Sequence, residues 1–140
     1  MMSERVDPIG FLLKDVVEWN EYRRSHPTWK PALDQADLKG ADLVAADLHG
    51  LSLRGVDLGG AVLRKADLSA TDLADAVLVG TDLSDADLSA ARLQNADLRG
   101  VKFAAANLSG ADFRGATLER NAIAHAQTAG TLLPFDGNGS

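Results

Sequence analysis

Cysteine is absent from this 140-residue chain, which excludes disulfide scaffolds, thiolate metal sites and cysteine nucleophiles. A chain without thiols suits a reducing compartment, and we expect a cytoplasmic protein. Aromatic residues make up only 5% of a sequence that is 46% hydrophobic, so its core differs from an ordinary mixed one. Long apolar runs are missing and the first residues, MMSERVDPIG, are not basic, so we expect neither a membrane span nor a secretory signal.

Basic charge is also in deficit, with 14 Lys and Arg against 20 Asp and Glu and a net charge of -6. A protein that binds nucleic acid directly needs a basic surface to neutralise phosphates, so we do not expect direct nucleic acid binding. Any function connected with DNA would depend on imitation of DNA or on a protein partner. The sequence also lacks a phosphate loop, a nucleotide fingerprint and a catalytic elbow. We therefore expect no cofactor, no metal and no enzymatic activity.

A five-residue repeat runs without a gap from residue 36 to residue 120. Its central position is Leu in fifteen of seventeen repeats and Phe in the other two, and the residue two positions earlier is Ala in twelve. Asp lies between them ten times, and the fifth position is Gly eight times. In a helix each Leu would move about 140° around the axis, and in a strand successive Leu would alternate faces. The period therefore predicts an all-β solenoid that turns every five residues and points its central side chains inward.

The tandem A(D/N)LxG pattern resembles the pentapeptide repeat proteins, and the match covers residues 36–120. This resemblance implies a right-handed quadrilateral β-helix with four repeats, or 20 residues, in each coil. Coils stacked at about 4.8 Å would form a rod only about 20 Å long. Glycines at positions 40, 60, 80 and 100 recur at the same interval. We assign residues 36–125 to the β-helix, with NAIAH at 121–125 as a possible continuation of the register.

Residues 1–35 lack the repeat and predict an N-terminal α-helical cap. Asp7 is a candidate N-cap, Pro8 lies in the first turn, and His26 and Pro27 end the helix. The segment from 16 to 31 resembles the leader that precedes the repeats in many bacterial family members. We interpret the helix as a cover for the open strand edge of the first coil, with a partner-binding element as the alternative. Its predicted apolar face consists of Ile9, Leu12, Leu13, Val16, Val17 and Trp19.

Residues 126–140 predict a C-terminal lid followed by a disordered tail, DGNGS. The repeat pattern weakens over residues 121–133, although Ile123, Leu132 and Leu133 keep apolar side chains there. This end of the rod closes either as an intrinsic lid or by pairing with a second copy, since apolar rod ends favour isologous dimers. The sequence is therefore consistent with both a monomer and an end-to-end homodimer.

With 20 residues per coil, one outward column contains Asp47, Asp67 and Asp87, followed by Asn107. His49 and Ser69 point the same way two positions further on. A metal ladder of carboxylates is disfavoured because a flat column offers no enclosing oxygens. A hydrolytic group of Ser69, His49 and Asp67 is disfavoured because the sequence supplies neither a pocket nor oxyanion donors. We favour a solvated face whose Asp side chains accept hydrogen bonds from turn amides.

Four valines occupy outward positions that are usually polar. Val44 and Val62 should adjoin on one face, and Val77 and Val79 on the neighbouring face. Small apolar patches of this kind suit a protein contact, although scattered apolar residues are also normal on a protein surface. We therefore predict a non-catalytic protein-protein interaction or scaffold module whose partner is not identified. The flat faces of a solenoid offer such a surface.

The resemblance implies an alternative function, because some family members modulate type II DNA topoisomerases such as gyrase by DNA mimicry. The column of Asp47, Asp67 and Asp87 is negatively charged, as the backbone of DNA is. Against it, residues 36–120 carry thirteen acidic and nine basic residues, a net charge of only -4. Three arginines, at positions 54, 92 and 114, also fall on the next face.

Overall fold

The computed structural model describes residues 7–135, and the repeats form a solenoid whose coils pair in parallel. From residue 37 to residue 97, the residue before the central Leu forms a parallel β-bridge with the residue 20 positions later, as Asp47 does with Asp67 and Asp67 with Asp87. Four such columns of bridges define four faces. We number them by their central residues: face 1 has Leu38, Leu58, Leu78 and Leu98; face 2 has Leu43, Leu63, Leu83 and Phe103; face 3 has Leu48, Leu68, Leu88 and Leu108; face 4 has Leu53, Leu73, Leu93 and Phe113.

The core is a stack of these central side chains, which are buried with the Ala column beside them. Asp, Gly and Ala have low strand propensity, so backbone hydrogen bonds between coils have to hold the coils together. The central N–H groups donate to the next coil, as Leu78 N–H does to Asp97 O at 2.7 Å, with the exception of Phe103 among the central residues 38–113. Near the C-terminal end the rings of Phe103 and Phe113 pack edge to face, with centroids 5.9 Å apart. The predicted inward orientation of the central positions is confirmed.

The turns place the fifth residue of a repeat in the left-handed region of backbone space. Gly60 has φ +68°, which glycine adopts without strain. Ala70 has φ +56°, a conformation that a side chain disfavours. Stacking between coils therefore imposes the turn geometry even where the sequence lacks glycine. The non-glycine residues with positive φ are Gln35, Ala45, Lys65, Ala70, Asp75, Asp85, Ala90, Asn95 and Ala105.

The N-terminal segment forms two helices, so the prediction of one continuous helix is wrong. Helix α1 spans Pro8–Lys14 and helix α2 spans Val16–Ser25. Between them Asp15 is extended, with φ -159° and ψ 104°, and its side chain accepts the Glu18 N–H to cap α2. This local hydrogen bond competes with helix continuation. The predicted N-cap at Asp7 and the predicted end at His26 are confirmed.

The break at Asp15 also changes which side chains are buried. Leu13 and Val17, predicted on the buried face, are 50% and 66% exposed. The buried side chains of α1 and α2 are Phe11, Leu12, Trp19 and the unexpected Arg23. Ile9 and Val16, also predicted on the buried face, are partly buried and pack against the core. No helix within residues 7–135 is long and apolar enough to cross a membrane.

The boundaries of the solenoid differ from the predicted 36 and 125. Coil pairing already begins at Leu33, whose N–H donates to Ser52 O at 3.0 Å. At the other end Arg120–Ile123 form a 3₁₀ helix instead of continuing the coil. Parallel pairing then resumes at Gln127, opposite Asn107, and at Leu132, opposite Asp112. Residues 126–133 therefore continue the solenoid, and the predicted disorder of DGNGS lies outside the described residues.

Candidate interaction surfaces

The acidic column of face 3 is held by local turns. One oxygen of Asp67, Oδ1, accepts the Ser69 N–H at 3.0 Å and the Ser69 Oγ–H at 2.6 Å. Asp87 accepts the same pair of bonds from Ser89, at 2.9 and 2.6 Å. The predicted bonds from Asp side chains to turn amides are confirmed. No donor within residues 7–135 bonds the second carboxylate oxygen of Asp67 or Asp87, so each keeps a free oxygen.

Helix α2 lies against the outer edge of face 3 in the first coil. In later coils the backbone of this column pairs with the coil before it, as Asp67 N–H does with Ala46 O. At Asp47, which has no preceding coil, side chains from α2 make these hydrogen bonds instead. Asn20 Oδ1 accepts the Asp47 N–H at 2.8 Å, and Trp19 Nε1–H donates to Asp47 O at 2.8 Å. The helix thus supplies the hydrogen bonds that a preceding strand would have made.

Arg23 completes this contact and was missed by the sequence reasoning. Only 5% of its surface is exposed, and its guanidinium donates to Trp29 O at 3.0 Å and to the His49 carbonyl. The available signal was its position four residues after Trp19, on the same face of α2. Because Arg23 and His49 contact the Asp47 carboxylate, the part of the acidic column without a cationic or imidazole contact begins at Asp67.

The structure brings Asp47, His49 and Asp67 together, with ligating atoms within 4.8 Å of one another. A cation there would meet the Arg23 guanidinium, which lies 3.6 Å from Asp47 Oδ1 and 3.3 Å from His49 Nδ1. That positive charge opposes a bound metal ion. The hydroxyl of Ser69 donates to Asp67, and His49 Nδ1 contacts Asp47 Oδ1. Ser69 and His49 therefore do not form a nucleophile-base pair.

Ion pairs neutralise much of the acidic charge on the other faces. Arg54 on face 4 lies 3.1 Å from Asp72 of the next coil. Arg114 forms two hydrogen bonds with Asp112, at 3.0 and 2.8 Å. The Arg114 guanidinium holds the pKa of Asp112 below its usual value, and this hydrogen bond outweighs the opposing effect of burial. Asp37 on face 1 and Asp42 on face 2 also use only one carboxylate oxygen. Within residues 7–135, however, only face 3 places two such carboxylates, those of Asp67 and Asp87, in successive coils.

The four outward valines flank one corner of the solenoid. Val77 and Val79 lie on face 1 and are each 36% exposed. Val44, 41% exposed, and the half-buried Val62 lie on face 2. The corner between these faces consists of glycines, and an added Cβ at Gly40, Gly60 or Gly80 would meet no atom within 4 Å. We call this surface the valine-glycine ridge, formed by Val44, Val62, Val77, Val79, Gly40, Gly60 and Gly80.

Comparison with known proteins identifies the repeat. A family model described as Pentapeptide repeats matches eight copies, over residues 32–60, 52–89 and 81–120. The chain belongs to the pentapeptide repeat family. The matched region starts at residue 32, in agreement with coil pairing from Leu33.

Three solved structures illustrate the similarity of this pentapeptide repeat protein to others. The protein alr5209 from Nostoc PCC 7120 is 30% identical, with 81% of this chain and 94% of that chain covered and a TM-score of 0.45. Rfr23 from the cyanobacterium Cyanothece 51142 is 26% identical, with 87% and 97% covered and a TM-score of 0.41. QnrB1, a plasmid-mediated fluoroquinolone resistance protein, is 19% identical, with 76% and 68% covered and a TM-score of 0.36. A search of curated proteins finds no match.

Proposed function

We propose that this pentapeptide repeat protein is a non-catalytic interaction module that binds a protein partner through the valine-glycine ridge. The observation that carries the proposal is the exposed pair Val77 and Val79. In the columns of face 1, Val77 stands between Asp57 and Asp97. Apolar side chains at the centre of a polar column give this face a dry patch with a charged rim, as interface cores have.

The glycines at the corner also favour binding at the ridge. Gly60 and Gly80 carry no side chain at the corner, so a partner's backbone can approach closely there. Covering the remaining surface of Val77 and Val79 contributes about 0.5–1 kcal/mol each, since each valine is already two-thirds covered. A ridge of this kind gives an interface its centre, and the surrounding charges of faces 1 and 2 give it specificity.

A second candidate function is modulation of a type II DNA topoisomerase by DNA mimicry, and the free carboxylate oxygens of Asp67 and Asp87 favour it. Successive coils place these charges about 4.8 Å apart along the rod, against an axial rise of about 3.4 Å per phosphate of one DNA strand. The column is short, because Arg23 and His49 contact the Asp47 carboxylate and the neutral Asn107 follows Asp87. The ridge therefore supports a function better than the acidic column does.

The test uses two double variants of the full chain that change one surface each. Val77→Asp with Val79→Asp alters the ridge, whereas Asp67→Asn with Asp87→Asn alters the acidic column and serves as the matched control. We expect quantitative co-purification from the source cell to recover a protein with the native chain and the acidic-column variant, but not with the ridge variant. Recovery that does not depend on the valines would contradict the proposal.

A supercoiling titration of DNA gyrase with the same proteins separates the two functions. The ridge proposal predicts no effect of the native chain at micromolar concentration. Inhibition by the native chain that weakens in Asp67→Asn with Asp87→Asn, and persists in the ridge variant, would make mimicry the better function.

A further inference from the structure

The ladder of parallel bridges has one gap, on face 2 near the C-terminal end. Lys102 pairs with Asp82 of the preceding coil. Its partner in the following coil would be Ala122, but within residues 7–135 this bridge does not form. The neighbouring columns continue past the gap on both sides, at Thr117 on face 1 and Gln127 on face 3.

Three backbone groups face this gap without a partner in the described part of the chain: the N–H of Gly100, the C=O of Val101 and the N–H of Phe103. Their equivalents one coil earlier are all paired. Gly80 N–H donates to Arg99 O at 2.9 Å, and Thr81 O accepts the Lys102 N–H at 3.0 Å. The three groups alternate donor, acceptor and donor along one strand. They therefore present the open edge to which a parallel strand adds.

A cavity of about 370 Å³ lies between this edge and the 3₁₀ helix Arg120–Ile123. Its volume is at the lower end of the range for ligand pockets, about 300–1,000 Å³. Pairing resumes one residue late, because Ala105 N–H donates to His125 O and not to Ala124 O. The chain therefore bulges around the gap instead of filling it. Residues that line the cavity include Val101, Lys102, Phe103, Glu119, Asn121 and His125.

We propose that this gap binds an extended peptide segment in which an acidic residue precedes a large apolar residue. The acidic residue would lie opposite Lys102, donate its N–H to Val101 O and accept the Phe103 N–H. Since residues in one column point the same way, its side chain would stand beside the Lys102 ammonium. That ammonium has no ion-pair partner within residues 7–135.

The apolar residue that follows would point inward, because successive side chains of an extended segment alternate. It would enter the cavity beside the apolar residues Leu98, Val101 and Phe103, which line it. Peptide binding by strand addition takes its affinity from main-chain hydrogen bonds and its specificity from alternate side chains. The ligand is thus an acidic-apolar peptide, and its site is separate from the valine-glycine ridge.

The experiment is an NMR titration of the full chain with the peptide acetyl-Ala-Asp-Leu-Ser-amide. We expect saturable shifts confined to the amides of Gly100, Phe103 and their neighbours. The same peptide N-methylated at its Asp keeps the charge and both side chains but cannot donate to Val101 O, and we expect it not to bind. Absent shifts at Gly100 and Phe103, or equal binding of the methylated peptide, would overturn the proposal.

A variant of Lys102 tests whether the gap prefers an acidic peptide residue. Lys102→Ala should weaken binding about two- to fivefold, the effect of an exposed ion pair. The matched control Lys39→Ala on face 1 should leave the affinity unchanged, and the peptide with Asn in place of Asp should bind both chains alike. An unchanged affinity for Lys102→Ala would overturn the acidic preference.

Hydrogen exchange tests the gap without a ligand. The Phe103 amide should exchange faster than the Leu83 amide, which occupies the equivalent position one coil earlier and donates to Lys102 O at 2.8 Å. Equal protection of the two amides would show that the gap is closed in solution and would overturn the site.

Discussion

Replacement of Asn20 by Ala tests whether helix α2 substitutes for a strand at the open end of the solenoid. The Asn20 amide accepts the Asp47 N–H at 2.8 Å and donates to Ala45 O at 2.9 Å. Alanine removes both hydrogen bonds and suits the helix at least as well as Asn does. The half-buried Asp47 N–H is then left without its partner.

The expected loss follows from these two bonds. Each contributes about 0.5–1.5 kcal/mol net, so their removal costs about 1–3 kcal/mol. The higher helix propensity of Ala returns about 0.5 kcal/mol. The free energy of unfolding should therefore fall by about 0.5–2.5 kcal/mol, and the Tm by about 2–8 °C at the sensitivity of a domain of this size.

The assay combines thermal unfolding with hydrogen exchange at single amides. Glu21→Ala is the matched control, because Glu21 is the next residue of α2 and is exposed. We expect faster exchange of the Asp47 amide in Asn20→Ala only, while the Leu78 amide in the third coil keeps its protection. If Asn20→Ala matches the control in both Tm and Asp47 exchange, α2 does not act as a substitute strand.

Three further predictions concern the coils themselves. Leu78→Asp buries a charge in the stack and should unfold several coils, so an intact cooperative thermal transition would refute the inward stacking of Leu78. Residues 60 and 70 both have positive φ, which glycine adopts without strain and alanine does not. Gly60→Ala should therefore lower the free energy of unfolding by about 1 kcal/mol, and Ala70→Gly should raise it by about 0.5 kcal/mol. Urea midpoints that move in the opposite directions would contradict this. Because Arg114 holds the pKa of Asp112 below the ordinary 3.8, their contribution is present above that value and is lost as pH falls through the folded pKa. Arg114→Gln should thus lower the urea midpoint at pH 7 more than at pH 2, and an equal effect at both values would argue against the ion pair.

The five-residue spacing of Leu was enough to predict an inward-facing solenoid, because neither a helix nor a strand can bury every fifth residue on one face. The number of repeats in a coil was less accessible, since only the glycines at 20-residue intervals and the family resemblance pointed to four. The positive φ of Ala70 could not be read from the sequence. Alanine tolerates that conformation only because the hydrogen bonds of the coils above and below impose it.

The surface predictions depended on contacts from outside the repeat. The column of Asp67 and Asp87 and the positions of the valines followed from the five-residue period combined with four repeats in each coil. The covering of Asp47 did not, because it needs the break at Asp15 and the burial of Arg23. Arginine is rarely buried without partners. Two partners of Arg23 are the backbone carbonyls of Trp29 and His49, which carry no signal in the sequence, and the side chains of Asp47 and His49 lie more than 20 residues away along the chain.

The gap on face 2 has a candidate cause in Asn121, and this leads to a last prediction. Residue 121 falls in the inward slot that is Ala in most repeats. Thr81 is accepted in that slot because its hydroxyl donates to Leu58 O at 2.7 Å. Asn carries a larger amide with two donors and an acceptor, and burying it there without partners costs more than leaving the coil. The structure places Asn121 at the surface.

Asn121→Ala should therefore let Ala122 pair with Lys102 and close the gap. Three backbone hydrogen bonds would form and the bond from Ala122 N–H to Glu119 O would be lost. This net gain of two bonds would raise the free energy of unfolding by about 1–3 kcal/mol. Exchange of the Phe103 amide should slow to the rate of the Leu83 amide, and the acidic-apolar peptide should no longer bind. The control Ala124→Ser changes an exposed residue of the same segment and should leave all three measurements unaltered. If Asn121→Ala leaves the Phe103 amide as open as before, the polar side chain in the inward slot is not what keeps the coil apart.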